Sequence, residues 1–236
     1  MKFLSMCIIS LIVISCSQTS VYLNPEYVNK DYSERELLIF PVTDDGIVVE
    51  NPKDVTDDFP FDNREAAMVI RDLFMTVLLT EFPNKVSNVT IVDSIFDYST
   101  LRLQNDPESY FQEGRTVEEE GKIYSFSIPK ENYLKELGFN ADLVYVINSI
   151  YFSRSDKSGV WSVGGSSGTV FTPDRPSLIA VVKFIIWDYE LDKEVGYGIF
   201  QTDTGFMWKL EAENWFSHFN WIATDMAKYS PFNSDE

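Results

Sequence analysis

The chain has 236 residues, of which 44% are hydrophobic and 15% aromatic, a composition that favours a globular fold and excludes a disordered stalk. Asp and Glu number 37 against 19 Lys and Arg, which gives a formal net charge of −18. Such a charge repels phosphate groups, so we predict that nucleic acid is not a partner.

The first fifteen residues have the pattern of an export signal. Lys2 provides a positive charge, and residues 3–14 form an almost uninterrupted apolar run. This length suits a signal sequence, whereas a helix that spans a bilayer needs roughly 20 residues. We therefore predict a removable signal peptide over residues 1–15. An ordinary secretory signal and an uncleaved anchor are the alternatives.

Cys16 directly follows this run, and the sequence Val-Ile-Ser-Cys at residues 13–16 resembles the bacterial lipobox. The resemblance implies that the signal is cut before Cys16 and that its thiol is acylated. Stable anchoring takes at least two acyl chains, since each buried CH₂ contributes about 0.8 kcal/mol. Cys7 lies in the removed segment, so the mature chain has no internal disulfide.

The predicted location is therefore the cell envelope, with the protein held on a membrane by lipid. Ser17 follows the cysteine, which in a Gram-negative host resembles the choice that sorts lipoproteins to the outer membrane, facing the periplasm. Residues 16–35 are mostly polar without periodicity, and we predict a lipidated cysteine followed by a tether. Residues 36–236 are predicted to form a single globular domain.

The first half of this domain contains one strong helix. Residues 37–42 form a short apolar run before a turn, which is typical of a buried strand. Asp62 lies three residues before Glu65, the spacing of an N-terminal capping pair, and apolar residues then recur at helical spacing up to Phe82. Residues 89–92 predict a second strand, and a polar insertion follows near residues 97–128.

The second half is richer in strands. Pro129 and Gly138 delimit a short predicted helix over residues 129–137. Long apolar runs then predict three strands, joined in part by a hairpin turn at residues 190–192; the strands cover residues 141–152, 177–189 and 193–202. A final helix covers residues 210–228, and its predicted buried stripe consists of Trp215, Phe219, Ile222, Ala223 and Met226.

The predicted order is β-α-β-α-β-β-β-α, which indicates an α/β or α+β fold in which two or three helices cover a mixed sheet of about five strands. This order, with the lipobox, the tether and the Phe-Pro-Val strand end at residues 40–42, resembles a group of envelope lipoproteins. The group includes the curli-secretion lipoprotein, the lipoprotein activators of penicillin-binding proteins and the amino-terminal domain of the Tol-system propeller protein. The resemblance implies a protein-binding or assembly module without a catalytic site.

Catalytic and metal-binding patterns are few. His218 is the single histidine, and no Gly-x-Ser-x-Gly motif accompanies it. One histidine and an acylated cysteine cannot supply the ligands of a zinc site, and the acidic clusters at residues 44–45 and 54–62 do not match the spacing of a calcium loop. We therefore predict no enzymatic activity, cofactor or metal. A carboxylate-based glycan hydrolase and a small-molecule or sugar-binding lipoprotein are the alternatives.

Two groups of aromatic residues are candidates for binding a partner. Trp161 and Phe171 flank a Gly/Ser-rich loop that lacks the Gly-Lys-Ser/Thr ending of a phosphate loop. The arms of this loop, about five residues each, are shorter than the roughly 9–11 residues of a membrane-spanning strand. Trp208 and Trp221 fall off the predicted buried stripe of the final helix. We predict that these four residues contact a protein partner or a second copy of the chain.

Overall fold

A computed structural model describes most of the chain after residue 15. It describes residues 16–28, 30, 32, 34–40, 46–50, 63–82, 88–91, 111–119, 121–136, 140–155, 177–205 and 212–229. The predicted signal peptide at residues 1–15 lies outside these ranges.

Seven strands form one mixed sheet: β1 (Cys16–Leu23), β2 (Glu36–Phe40), β3 (Ile47–Val49), β4 (Asn88–Ile91), β7 (Leu143–Ser155), β8 (Ser177–Asp188) and β9 (Lys193–Gly205). Their order is β1-β9-β8-β7-β2-β4, and β3 pairs with β7 farther along the same edge as β2. The four strands β1, β9, β8 and β7 are antiparallel, whereas β2, β3 and β4 pair in parallel. The predicted fold class is confirmed, although the sheet has seven strands and not about five.

Two helices, α1 (Asn63–Glu81) and α3 (Ala212–Lys228), cover one face of the sheet. The ring of Phe152 in β7 lies 4.7 Å from that of Trp215 and 5.8 Å from that of Phe219. The ring centroids of Phe74 in α1 and Phe219 in α3 are 5.2 Å apart, so the two helices pack against each other here. Apolar residues at helical spacing therefore point into one core, and both predicted helices are confirmed.

A hairpin of β5 (Phe111–Glu119) and β6 (Lys122–Pro129), followed by α2 (Tyr133–Glu136), packs on the opposite face. The described residues of the predicted polar insertion between 111 and 128 form this hairpin, and residues 97–110 lie outside the described part of the chain. The predicted helix at 129–137 is shortened because β6 extends to Pro129. The hairpin buries Phe111 and Phe126, whereas most of its other side chains are polar. Its sequence therefore contains no long apolar run that would predict a strand.

Polar contacts fasten this hairpin to the sheet. Asn148 lies at a bulge in β7, where its Oδ1 accepts a hydrogen bond from the backbone N–H of Ser127 and its Nδ2 donates to the Val146 carbonyl at 3.2 Å. Lys183 donates from Nζ to the Ser125 carbonyl at 2.9 Å, and burial lowers the pKa of this amine. The bulge therefore aims a polar side chain at the backbone of β6.

The segment predicted as a tether is instead part of the fold. β1 pairs with β9 in unbroken antiparallel register from Cys16, opposite Asp203, to Leu23, opposite Gly196. Val21 and Leu23 pack against the core of the helical face. The prediction failed because an edge strand needs few core-facing side chains, and the polar residues between them conceal the alternation.

Candidate functional site

The predicted lipid-attachment residue lies at one end of the sheet. Cys16 is opposite Asp203 of β9, and Asp203 is opposite Ile179 of β8. The last residues of β7 and β9 and the first residue of β8 complete this end, because Ser155 pairs with Ser177 and Ser177 with Gly205. We call this end of the sheet the Cys16 end.

β1 is held to the rest of the fold by more than its backbone pairing. The rings of Tyr22 and Tyr197 stack with centroids 5.4 Å apart. The guanidinium of Arg115, from the hairpin, lies 5.6 Å from the centre of the Tyr22 ring and 5.1 Å from that of Tyr197, and it pairs with Glu194 at 3.0 Å. β1, the sheet and the hairpin therefore meet around the Tyr22–Tyr197 pair, near the end of β1 that is farther from Cys16.

Three of the four predicted contact residues lie outside the described residues. Trp161 and Phe171 fall in residues 156–176, which join β7 to β8, and Trp208 falls in residues 206–211, which follow β9. Both segments are connected to strand ends at the Cys16 end.

Trp221 lies on α3, where it is 38% exposed. Phe216 and Tyr229 are also exposed, at 49% and 41%. The five residues of the predicted stripe are all buried, which confirms the helical periodicity. Phe216 was not singled out from the sequence, although its position off the predicted buried stripe indicates exposure just as that of Trp221 does.

His218 is completely buried between α3 and β9. Its Nδ1 lies 2.6 Å from Oγ1 of Thr202, and Nε2 has no hydrogen-bond partner among the described residues. Burial lowers the pKa of the imidazole to about 4, so the ring is neutral near pH 7. These surroundings are those of a packing residue that an external substrate does not reach.

The end of the sheet opposite Cys16 is acidic, and its carboxylates are engaged in turns. Asp188 accepts hydrogen bonds from the Tyr27 hydroxyl and from the Leu191 backbone N–H, both at 2.7 Å. Asp192 accepts from the Trp187 indole at 3.0 Å. We call residues 188–192, which connect β8 to β9, the acidic turn. The contacts with Leu191 and Trp187 close the turn, and the contact with Tyr27 links it to the segment after β1.

Within the described ranges, no group of three or more His, Cys, Asp or Glu side chains is arranged to hold a metal ion. The acidic clusters at residues 44–45 and 54–62 lie outside those ranges. No helix among the same residues combines the length and the apolar character needed to cross a bilayer.

No protein-family model matches the sequence, and no curated protein matches it either. Among similar solved structures is a PelC dodecamer from Paraburkholderia phytofirmans, with 11% identity and a TM-score of 0.38 over 94% of this chain and 100% of that chain. The hypothetical protein CT253 from Chlamydia trachomatis is 8% identical, with a TM-score of 0.41 over 83% and 97%. Protein XCC0632 from Xanthomonas campestris is 9% identical, with a TM-score of 0.37 over 88% of both chains.

None of these structures is named as a curli-secretion, penicillin-binding-protein-activator or Tol propeller protein. The resemblance to that group therefore stays a prediction.

Proposed function

We propose that the protein is a lipoprotein of the bacterial cell envelope, anchored by acyl chains on Cys16, whose folded domain binds another protein without catalysing a reaction. The partner is a different envelope protein or a second copy of this chain. In a Gram-negative host the proposed location is the outer membrane, facing the periplasm.

The lipobox-like sequence at residues 13–16, together with the pairing of Cys16 with β9, carries this proposal. Signal cleavage before Cys16 would remove residues 1–15 and leave every described strand intact. A cut a few residues later would remove part of β1 and its pairing with β9. Cleavage at the lipobox is therefore compatible with the described fold.

Two observations support binding over catalysis. The single histidine is completely buried, and the carboxylates of Asp188 and Asp192 in the acidic turn accept backbone and side-chain hydrogen bonds. Aromatic side chains are exposed on α3, and aromatic residues are favoured anchors in protein interfaces.

The anchor is tested by expressing the full chain in a bacterial host fed with an alkyne-bearing fatty acid. We expect the label, and a matching mass increase, on the amino-terminal peptide that begins at Cys16. Cys16→Ser should abolish both, whereas Cys7→Ser should leave both unchanged because Cys7 lies in the removed segment. A mature protein without acyl groups would overturn the proposed anchor.

The binding function is tested on the anchored protein in its own envelope. Cross-linking before detergent extraction should capture a defined partner, and light scattering of the purified lipoprotein should reveal whether that partner is a second copy. A strictly monomeric protein with no reproducible cross-linked partner would contradict the proposal.

A further inference from the structure

We propose that the Cys16 end of the sheet rests on the headgroups of the bilayer, with the strands directed away from the membrane and the acidic turn farthest from it. This inference rests on the proposed acylation of Cys16 and adds an orientation to it. Among the described residues, Arg154 and Asp203 are then close to the lipid.

The first argument is the missing tether. Twenty flexible residues would have a root-mean-square reach of about 25 Å and would let the domain turn freely. In the structure Cys16 is itself paired with Asp203, so no flexible residue separates the acylated position from the sheet. The lipid would therefore fix this corner of the domain at the membrane surface.

The second argument is that β1 is firmly attached to the domain. It pairs with β9 at eight consecutive positions, and Val21 and Leu23 pack into the core. The Tyr22–Tyr197 stack and the Arg115 guanidinium add contacts on the other face. A constraint placed on Cys16 is therefore transmitted to the whole sheet.

Charge decides between an upright domain and one that lies on its β1 edge. At the end of the acidic turn, the carboxylates of Glu26, Asp188, Glu190 and Asp192 outnumber the amines of Lys30 and Lys193. Arg154 and Asp203, near the Cys16 end, are of opposite charge. Anionic lipids give a membrane surface a negative potential, which repels carboxylates that come within a Debye length. Lying on the β1 edge would bring the acidic turn toward that surface, so the upright orientation is favoured.

The test uses the acylated protein in vesicles of phosphatidylethanolamine and phosphatidylglycerol that contain a headgroup-attached fluorescence quencher. An introduced cysteine would be the only unmodified thiol of the mature chain, since Cys16 is acylated and Cys7 is removed. A small thiol-reactive fluorophore would be placed at three exposed positions in turn, by Arg154→Cys, Leu191→Cys and Val28→Cys. Leu178, opposite Arg154, and Asp188, the first residue of the acidic turn, are separated by about 33 Å of strand at roughly 3.3 Å per residue.

We expect the fluorophore at position 154 to lose most of its emission and those at positions 191 and 28 to lose little. Inserting ten Gly and Ser residues between Ser17 and Gln18 should remove the difference, because the domain can then turn. Equal quenching at all three positions without the insertion, or stronger quenching at position 191 or 28, would overturn the orientation.

Mass spectrometry of the same samples separates this failure from failure of the anchor. Acylated protein with the wrong quenching pattern would contradict only the orientation. Protein without acyl groups on Cys16 would overturn both proposals.

Discussion

The hydroxyl of Tyr27 donates a 2.7 Å hydrogen bond to Oδ2 of Asp188, although 161 residues separate the two in the chain. The ring of Tyr27 is completely buried and stacks on Tyr32 at 6.3 Å. Burial, together with the Asp188 carboxylate, raises the pKa of the Tyr27 phenol, so its proton stays in place as a donor. This contact fixes the segment after β1 to the far end of β8.

The first prediction concerns this attachment. Tyr27→Phe should lower the free energy of unfolding by about 1–3 kcal/mol, since one hydrogen bond to a charged acceptor is lost. Tyr27→Ala should cost more, about 3–5 kcal/mol, because it also leaves a cavity. Urea denaturation gives both values, and Val28→Ala, at a side chain that is 56% exposed, is the matched control. Equal stability of the Ala variant and the wild type would mean that this segment is a tether after all.

The second prediction is a loss of stability in mild acid that His218 causes. The unfolded imidazole has a pKa near 6.5, and burial lowers the pKa of the folded one to about 4. As pH falls from 6.5 to 4, the unfolded chain therefore binds a proton that the folded chain does not. The contribution of His218 to the free energy of unfolding is fully present above pH 6.5 and falls by about 3 kcal/mol by pH 4.

His218→Asn removes this titration and keeps an amide near the position of Nδ1, 2.6 Å from Thr202 in the native protein. Urea denaturation at pH 7.5 and 4.5 should show a smaller loss for the variant than for the wild type. Because the chain has one histidine, its imidazole proton resonance also reports the pKa directly. Parallel pH profiles, or a resonance that titrates near 6.5, would refute the prediction.

The third prediction concerns the hairpin on the second face. Asn148→Leu leaves the buried backbone N–H of Ser127 without its acceptor, which should cost about 1–3 kcal/mol. Amide hydrogen exchange over residues 111–129 should speed up while the strand β8 stays protected. Ile123→Thr, at a hairpin side chain that is 73% exposed, should change neither stability nor exchange. Unchanged protection of the hairpin in Asn148→Leu would show that other contacts suffice.

The fourth prediction separates surface from core on α3. Trp221→Ala should change the free energy of unfolding by less than about 0.5–1 kcal/mol but weaken cross-linking to the proposed partner. Trp215→Ala, six residues earlier and completely buried, should cost about 3–5 kcal/mol. Phe216→Ala serves as a second surface variant. If neither surface variant affects cross-linking, α3 is not the binding surface.

The parts of the fold with a strong local pattern were predictable. The helices α1 and α3 follow from apolar residues at three- and four-residue spacing, and the pair β8 and β9 follows from two apolar runs around the turn at residues 190–192. For the candidate site, the sequence indicated Cys16 and an exposed Trp221. The structure shows that Trp221 is exposed, and the roles of both residues stay predictions. Local periodicity carries this information because each such element buries a face made of its own neighbouring residues.

The sequence by itself determined the export and lipobox pattern, the helices and the mixed α+β class. Only the tertiary structure decided that Cys16 pairs with Asp203 in a strand, that Tyr27 is buried and that a hairpin covers the second face. The physical reason is that these features depend on partners far away in the chain. β1 is an edge strand whose hydrogen bonds come from β9, and the bond that fixes Tyr27 comes from Asp188. The local pattern of residues 16–35 therefore does not indicate that β9 and Asp188 are their partners.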